Sequence, residues 1–271
     1  MQTLDLDSFA LNPRTPGEDR QEAPARTNSI RGKVGLPASR SRREVSEWLG
    51  GDPIVDRLFL NMPLVDVDDR RAIVRAGQWH APVLLIRRGF AYRSYGLGDS
   101  RRTTTDILLP GDVAGLDQLH MNKARAAVIA AGCVSYQPIG TGVLRTWMED
   151  PKVSMRVSAL SVEAHWRAEW LAAIQKLSAM ERVASLFISI HQRLRDRNLI
   201  NGMSYNLPLT NRRVADYLGI TEEHLSRTFR RMRDQRLVSI DKQVVTIVDF
   251  RRLHRLAHGR SDPDSASSTL P

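Results

Sequence analysis

The spacing of apolar residues changes character twice along the chain. Up to residue 44 no hydrophobic period is sustained, and Pro13, Pro16, Gly17, Pro24, Gly32, Gly35 and Pro37 interrupt a stretch of mixed charge. Such a segment has little apolar surface to bury, so residues 1–44 are read as a flexible extension. Between 45 and 150, short apolar runs alternate with turn residues. Val83-Leu84-Leu85-Ile86, Phe90 to Tyr95, Asp106-Ile107-Leu108-Leu109 and Ala127-Val128-Ile129-Ala130 have the length and composition of strands. Gly96-Leu97-Gly98-Asp99 and Pro110-Gly111-Asp112 carry the residues that tight turns need. Many short strands with frequent turns predict a small barrel or roll.

After Asp150-Pro151 the period becomes helical. Val153, Val157, Leu160, Ala164, Ala168, Leu171 and Ile174 follow one another at spacings of three or four, which predicts one long helix over 151–177. Trp166, Trp170 and Leu177 form a second stripe beside the first. Two stripes let one helix cover two surfaces, the roll and the same helix of a second subunit. The residues expected at that dimer interface are Val157, Leu160, Ala164, Leu171 and Ile174; the alternative is that both stripes face a core within one chain. Ser178-Ala179-Met180-Glu181 has the form of a capping box and predicts a new helix, whose apolar residues Val183, Leu186, Phe187, Ile190 and Leu194 run to about Arg197. Asn201-Gly202 supplies a stop.

From Thr210 the spacing becomes more specific. Thr210 is suited to cap a short helix with Val214, Ala215 and Leu218 on its apolar face; Gly219 ends it, Ile220 tucks inward, and Thr221 caps a second helix. A small residue at Ala215, a glycine able to turn left-handed at Gly219 and Leu225 on the second helix are what a helix-turn-helix requires. Leu237 to Ile240 and Val244 to Val248 read as two strands around Asp241-Lys242-Gln243, a wing. The motif thus sits in a domain over 178–258, and residues 259–271 are read as a flexible tail.

Charge directs attention to the same place. The chain carries 40 Lys and Arg against 30 Asp and Glu, a formal excess of +10, and residues 201–260 hold twelve of those cations against six anions. A concentrated basic excess favours a polyanionic partner, here double-stranded DNA. On the outer side of the second helix, Glu223, Ser226 and Arg227 stand one turn apart near its amino end. Arg227 is able to donate twice to guanine, Glu223 to accept from cytosine, and Ser226 to meet either kind of edge, so these three are the candidate base readers. An acidic residue in a first helical turn also favours the helix dipole, a second role open to Glu223. Thr210, Arg212, Arg213, Thr221, Arg230, Arg231 and Lys242 are the candidates for phosphate contact, which gives affinity without sequence information.

The run Leu207-Pro208-Leu209-Thr210-Asn211-Arg212-Arg213-Val214-Ala215-Asp216-Tyr217-Leu218-Gly219-Ile220-Thr221-Glu222-Glu223-His224-Leu225-Ser226-Arg227-Thr228-Phe229 closely resembles the winged helix of the CRP/FNR transcription regulators, and within them the FNR/FixK-like branch. Leu108-Leu109-Pro110-Gly111-Asp112-Val113-Ala114-Gly115-Leu116 resembles a turn of that family's roll, and the likeness extends over roughly residues 50–258. It implies an α+β fold made of a cyclic-nucleotide-binding-like β-roll at 45–150, a dimerisation helix at 151–177 and a C-terminal winged helix-turn-helix. It further implies a homodimer on a two-fold symmetric site, with Glu223, Ser226 and Arg227 matching the residues that read TTGA-type half-sites, and contact with RNA polymerase if the protein activates.

Departures from the family bear on the signal. Its cyclic-AMP binders carry an acidic residue for the ribose and an Arg-Ser pair for the phosphate; here Leu116 stands near the first and Arg125-Ala126 near the second. No cofactor is therefore expected, and a cyclic-nucleotide-responsive regulator is the alternative reading. A single cysteine, Cys133, excludes an internal disulfide or a cysteine-held cluster within one chain. Cys133 is a candidate redox thiol, although its apolar strand context predicts burial. His80 and His120 are lone histidines better read as ordinary polar contacts than as haem or metal ligands. No phosphate-loop, zinc-protease or nucleophile-elbow motif suggests an enzyme. Asp5 and Asp7 precede any basic residue, and the longest apolar stretch, Ala126 to Val134, is nine residues. Neither a secretory signal nor a membrane span is expected, which points to the cytoplasm.

Overall fold

The computed structural model describes residues 53–98 and 101–259. The extension expected at 1–44 and the tail from residue 260 lie outside the described residues. Helix α1 (Pro53–Phe59) leads into β1 (Val65–Val67), β2 (Ala72–Val74), β3 (Val83–Gly98), β4 (Arg101–Leu108), β5 (Val113–Ala114) and β6 (Ala126–Ile139). A short α2 (Thr141–Trp147) precedes the long α3 (Pro151–Ile174). Then come α4 (Ala179–Asp196), β7 (Ser204–Asn206), α5 (Asn211–Leu218), α6 (Glu222–Asp234), β8 (Val238–Asp241), β9 (Val244–Ile247) and α7 (Phe250–Ala257). The class is α+β with a C-terminal winged helix-turn-helix, as the sequence predicts. Two short helices, α1 and α2, stand where the strand pattern gave no sign of them.

The roll is an antiparallel sheet in the order β1-β6-β3-β4, with β2 on β6 and β5 on β3. Alternation along β6 gives it two apolar faces. Val128, Ala130 and Val134 join Leu84, Ile86, Ala91 and Leu108 inside the roll. Ala127, Ile129 and Ala131 join Phe90, Tyr92, Ile107 and Leu109 on the outer face, where they share one core with the C-terminal domain's Leu186, Phe187, Val214, Leu218, Leu225 and Phe229. The recognition motif is therefore welded to the roll by continuous apolar burial, the main favourable term in folding.

Cys133 corrects its sequence reading: it is exposed. It lies two residues beyond Ala131, past Gly132, whose left-handed φ of 74° interrupts the strand alternation. The ladder is irregular here, with the β3–β6 register shifting around Arg88.

Helix α3 corrects a second reading. Val157 and Ile174 are buried within the chain. Val157, with half-buried Leu160, packs on the core that joins α1 to the roll, and Ile174, with half-buried Leu171, packs on the core of the C-terminal domain. Ala164 lines a cleft against the roll. Of the five residues expected at a subunit interface, Val157 and Ile174 thus serve this chain's own cores, while Leu160, Ala164 and Leu171 are only half-buried. The uncovered side presents Met155, Val162 and Trp166, at 71%, 46% and 63% exposure.

Helix α4 begins with the predicted capping box: the Ser178 hydroxyl accepts from the Glu181 amide, and the Glu181 carboxylate accepts from the Ser178 amide at 2.7 Å. It ends sooner than Asn201-Gly202, with Asn198 taking a left-handed φ of 55°.

Candidate nucleic-acid interface

Thr210 and Thr221 open the two helices of the motif. Both have extended backbone, and their hydroxyls accept from the Arg213 and His224 amides, meeting donors that a helix start leaves unpaired. Gly219 ends α5 in the left-handed conformation, φ 65°, and the Ile220 amide reaches back to the Ala215 carbonyl at 3.0 Å. A Cβ at position 219 would stand 2.7 Å from Gln175 Oε1. The left-handed conformation is what calls for glycine here, since the end of the Gln175 side chain is free to shift.

Helix α6 divides cleanly into two faces. Leu225, Thr228, Phe229 and Met232 are buried, and the Thr228 hydroxyl donates to the His224 carbonyl at 2.8 Å, so its polar atom is satisfied in an apolar setting. Glu223, Ser226 and Arg227 are exposed on the other face, together with Arg230 and Arg231. The Glu223 carboxyl is held below the usual range by its own backbone amide and the Thr221 hydroxyl, with Arg227 adding to the effect. It therefore remains an acceptor at neutral pH, as contact with a cytosine amine requires. Lys242 is exposed at the tip of the wing between β8 and β9, with φ 53°, and Arg212 is exposed on the first turn of α5.

Arg213 corrects its assignment to phosphate. Its guanidinium lies 5.0 Å from the centroid of the Tyr92 ring on β3 and 3.9 Å from the Asp216 carboxylate. The side chain is turned toward the roll, where an aromatic face and an acid hold it. Asp216 in turn accepts from the Thr104 amide and hydroxyl on β4. Nothing in the local sequence singled out Asp216 or Tyr92, since their partners lie more than a hundred residues away.

A charged cluster continues this contact. Asp112, in the β4–β5 turn, receives Arg193 and Arg197 from α4, the latter at 2.7 Å; Arg197 also donates to the Pro110 carbonyl at 2.7 Å. Burial opposes charge on Asp112, yet Arg193, Arg197 and Arg167 and the Leu109 amide together hold its carboxyl well below the usual range. Arg167 on α3 pairs with Asp106 on β4 at 3.1 Å.

Between the roll and α3 lies a cleft of about 210 Å³, lined by Arg93, Tyr95, Asp106, Asp117, Arg125 and Ala164 among others. Arg93 is paired with Asp117 at 3.3 Å. Leu116 is buried in the core, and Arg125 is exposed at the rim. The cleft sets the carboxylates of Asp106 and Asp117 beside Arg93 and Arg125, in a space below the roughly 300–1,000 Å³ usual for small-molecule pockets. His80 and His120 are both exposed. Among the described residues no group of three or more His, Cys, Asp or Glu could hold a metal ion, and no helix is long and apolar enough to cross a membrane.

Comparison with known proteins bears on the same domain. The Crp-like helix-turn-helix domain matches residues 181–256. The transcriptional activator protein FnrL of Cereibacter sphaeroides is 28% identical over 188 residues, covering 66% of this chain and 74% of that protein. The nitrogen fixation regulation protein FixK of Bradyrhizobium diazoefficiens is 29% identical over 167 residues, covering 59% and 68%. Among solved structures, FixK2 from Bradyrhizobium japonicum aligns with a TM-score of 0.64 at 23% identity, over 74% of this chain and 98% of that one.

Proposed function

The chain belongs to the CRP/FNR family of transcriptional regulators, in its FNR/FixK branch, and on that premise we propose that it binds a palindromic TTGA-type site as a homodimer. The observation that carries this reading is the outer face of α6, where Glu223, Ser226 and Arg227 stand exposed behind a fully buried packing face. One recognition helix enters the major groove at each half-site, and the two half-sites lie about one helical turn apart, roughly 34–36 Å. Arg212, Arg230, Arg231, Lys242 and the hydroxyls of Thr210 and Thr221 face the phosphates.

The dimer forms along α3 through Met155, Val162 and Trp166, whose exposure on one helix face is unusual for a monomer and fits a left-handed helix pair. The protein acts in the cytoplasm, and it meets RNA polymerase if it activates. Against a cyclic nucleotide as its signal stand Leu116, Ala126 beside Arg125 and the small volume of the cleft there.

The test is selection from random duplex DNA followed by binding of the recovered site at fixed salt. A two-fold symmetric TTGA-containing site bound by two chains supports the reading. Recovery of no common sequence, or of an asymmetric one bound by a single chain, overturns it.

A further inference from the structure

Helix α3 ends at Ile174, and α4 begins at Ala179, so the link between the long helix and the DNA-binding domain is only a few residues long. One side chain from the first turn of α4 fills this corner. The Arg182 guanidinium donates to the Gln175 carbonyl at 2.6 Å, the Leu177 carbonyl at 2.9 Å and the Gln175 side-chain oxygen at 2.9 Å, all at the end of α3. The same group donates to the Leu218 carbonyl at 2.9 Å, at the end of α5. Each helix end carries carbonyls without intrahelical partners and a negative partial charge, so one cation here satisfies two helix termini at once. Gln175 Oε1, which accepts from this guanidinium, stands 2.7 Å from where a Cβ at Gly219 would be.

We propose that Arg182 is a positioning residue which fixes the direction of the recognition helix relative to the dimer axis, and so sets the half-site spacing that the protein accepts. The inference rests on the homodimer reading above. Its physical basis is that α6 starts at Glu222, three residues after Gly219, while α3 carries the proposed subunit contact. The guanidinium ties the end of one element to the turn that launches the other. A planar group with five donors in a fixed fork holds an angle as well as a distance; an ammonium in the same place would hold neither. Arg182 itself contacts no base-reading residue, so it acts on geometry between the two heads and not on recognition within either.

Adding one base pair between half-sites turns the second by roughly 34° and moves it by roughly 3.4 Å. A rigid corner rejects that change; a loosened one absorbs it. The experiment measures binding of wild-type protein, Arg182→Ala and Arg182→Lys to duplexes carrying the selected palindrome at its own spacing, the same palindrome with one base pair added or removed, and a single half-site. All measurements share one salt concentration.

The wild type is expected to favour its own spacing by about tenfold or more, a difference on the scale of a single mismatched pair. Arg182→Ala is expected to reduce that preference to about threefold or less while changing single half-site affinity by less than about twofold, because two independent heads lose only their mutual alignment. Arg182→Lys, which keeps the charge but not the fork, falls between them and carries the test if the alanine variant does not fold. Wild-type spacing preference retained in a folded variant overturns the role of Arg182 and leaves the dimer reading intact. A wild type that binds every spacing and the single half-site alike overturns the dimer reading, and this inference with it.

Discussion

Asp216 on α5 accepts two hydrogen bonds from Thr104 on β4, one from the amide at 2.8 Å and one from the hydroxyl at 2.7 Å. Strand β4 is at the edge of the roll, paired on one side by β3, and edge strands leave backbone groups that need covering. The first helix of the DNA-binding motif supplies that cover. Replacing Asp216 by alanine strands the buried Thr104 amide and is expected to cost about 1–3 kcal/mol, whereas Thr104→Val, which keeps the amide bond, costs about 0.5–1.5 kcal/mol. Urea unfolding followed by tryptophan fluorescence measures both. Equal and negligible losses would show that the latch contributes nothing to stability.

The exposed face of α6 separates specificity from affinity. Arg227→Ala is expected to lose about 1–3 kcal/mol of discrimination at one position of each half-site. Arg231→Ala is expected to weaken selected and random DNA alike and to lower the slope of affinity against salt by about one per contact. The same substitution at Arg212 acts like Arg231, while Arg213→Ala leaves the slope unchanged, since its guanidinium rests on Tyr92. Salt titrations of the four variants decide the matter, and a reduced slope for Arg213→Ala would return that residue to the phosphates.

The two sides of α3 answer to different measurements. Ile174 is 4% exposed within the chain's own core, so Ile174→Ala is expected to destabilise the fold by about 2–5 kcal/mol. Trp166→Glu changes the uncovered side and is expected to convert dimer to monomer in light scattering, with the far-ultraviolet spectrum unchanged. A Trp166→Glu protein that remains dimeric removes that face from the subunit contact.

Asp112 gives the junction between roll and α4 a pH dependence of definite sign. Its folded carboxyl lies below the usual 3.8, so its stabilisation is fully present above that value and is lost as pH falls through the folded value. Asp112→Asn leaves Arg193 and Arg197 without their counter-charge and is expected to cost about 3–5 kcal/mol at neutral pH. The gap between wild type and variant should hold constant from neutral pH down to about 4 and close only in stronger acid. A gap that closes between pH 7 and 5 would assign the effect to another group.

What the sequence by itself determined is the motif whose rules are local. The caps at Thr210, Thr221 and Ser178, the left-handed Gly219 and the buried Leu225 follow from neighbours within a few positions, and so does the exposed trio on α6. The tertiary structure decided everything that depends on which surface meets which. An apolar stripe on α3 states that a face must be covered, but the roll and the C-terminal domain chose to cover it themselves, leaving Met155, Val162 and Trp166 outside. The apolar run around Cys133 predicts burial, and only the assembled roll, irregular at Gly132, makes that position exposed. Arg213 reads as a phosphate contact and Arg182 has no assigned role until packing brings Tyr92 to one and the ends of two helices to the other. Burial and pairing across a hundred residues are properties of the assembled chain, because free energy of contact depends on distance in space and not along the sequence.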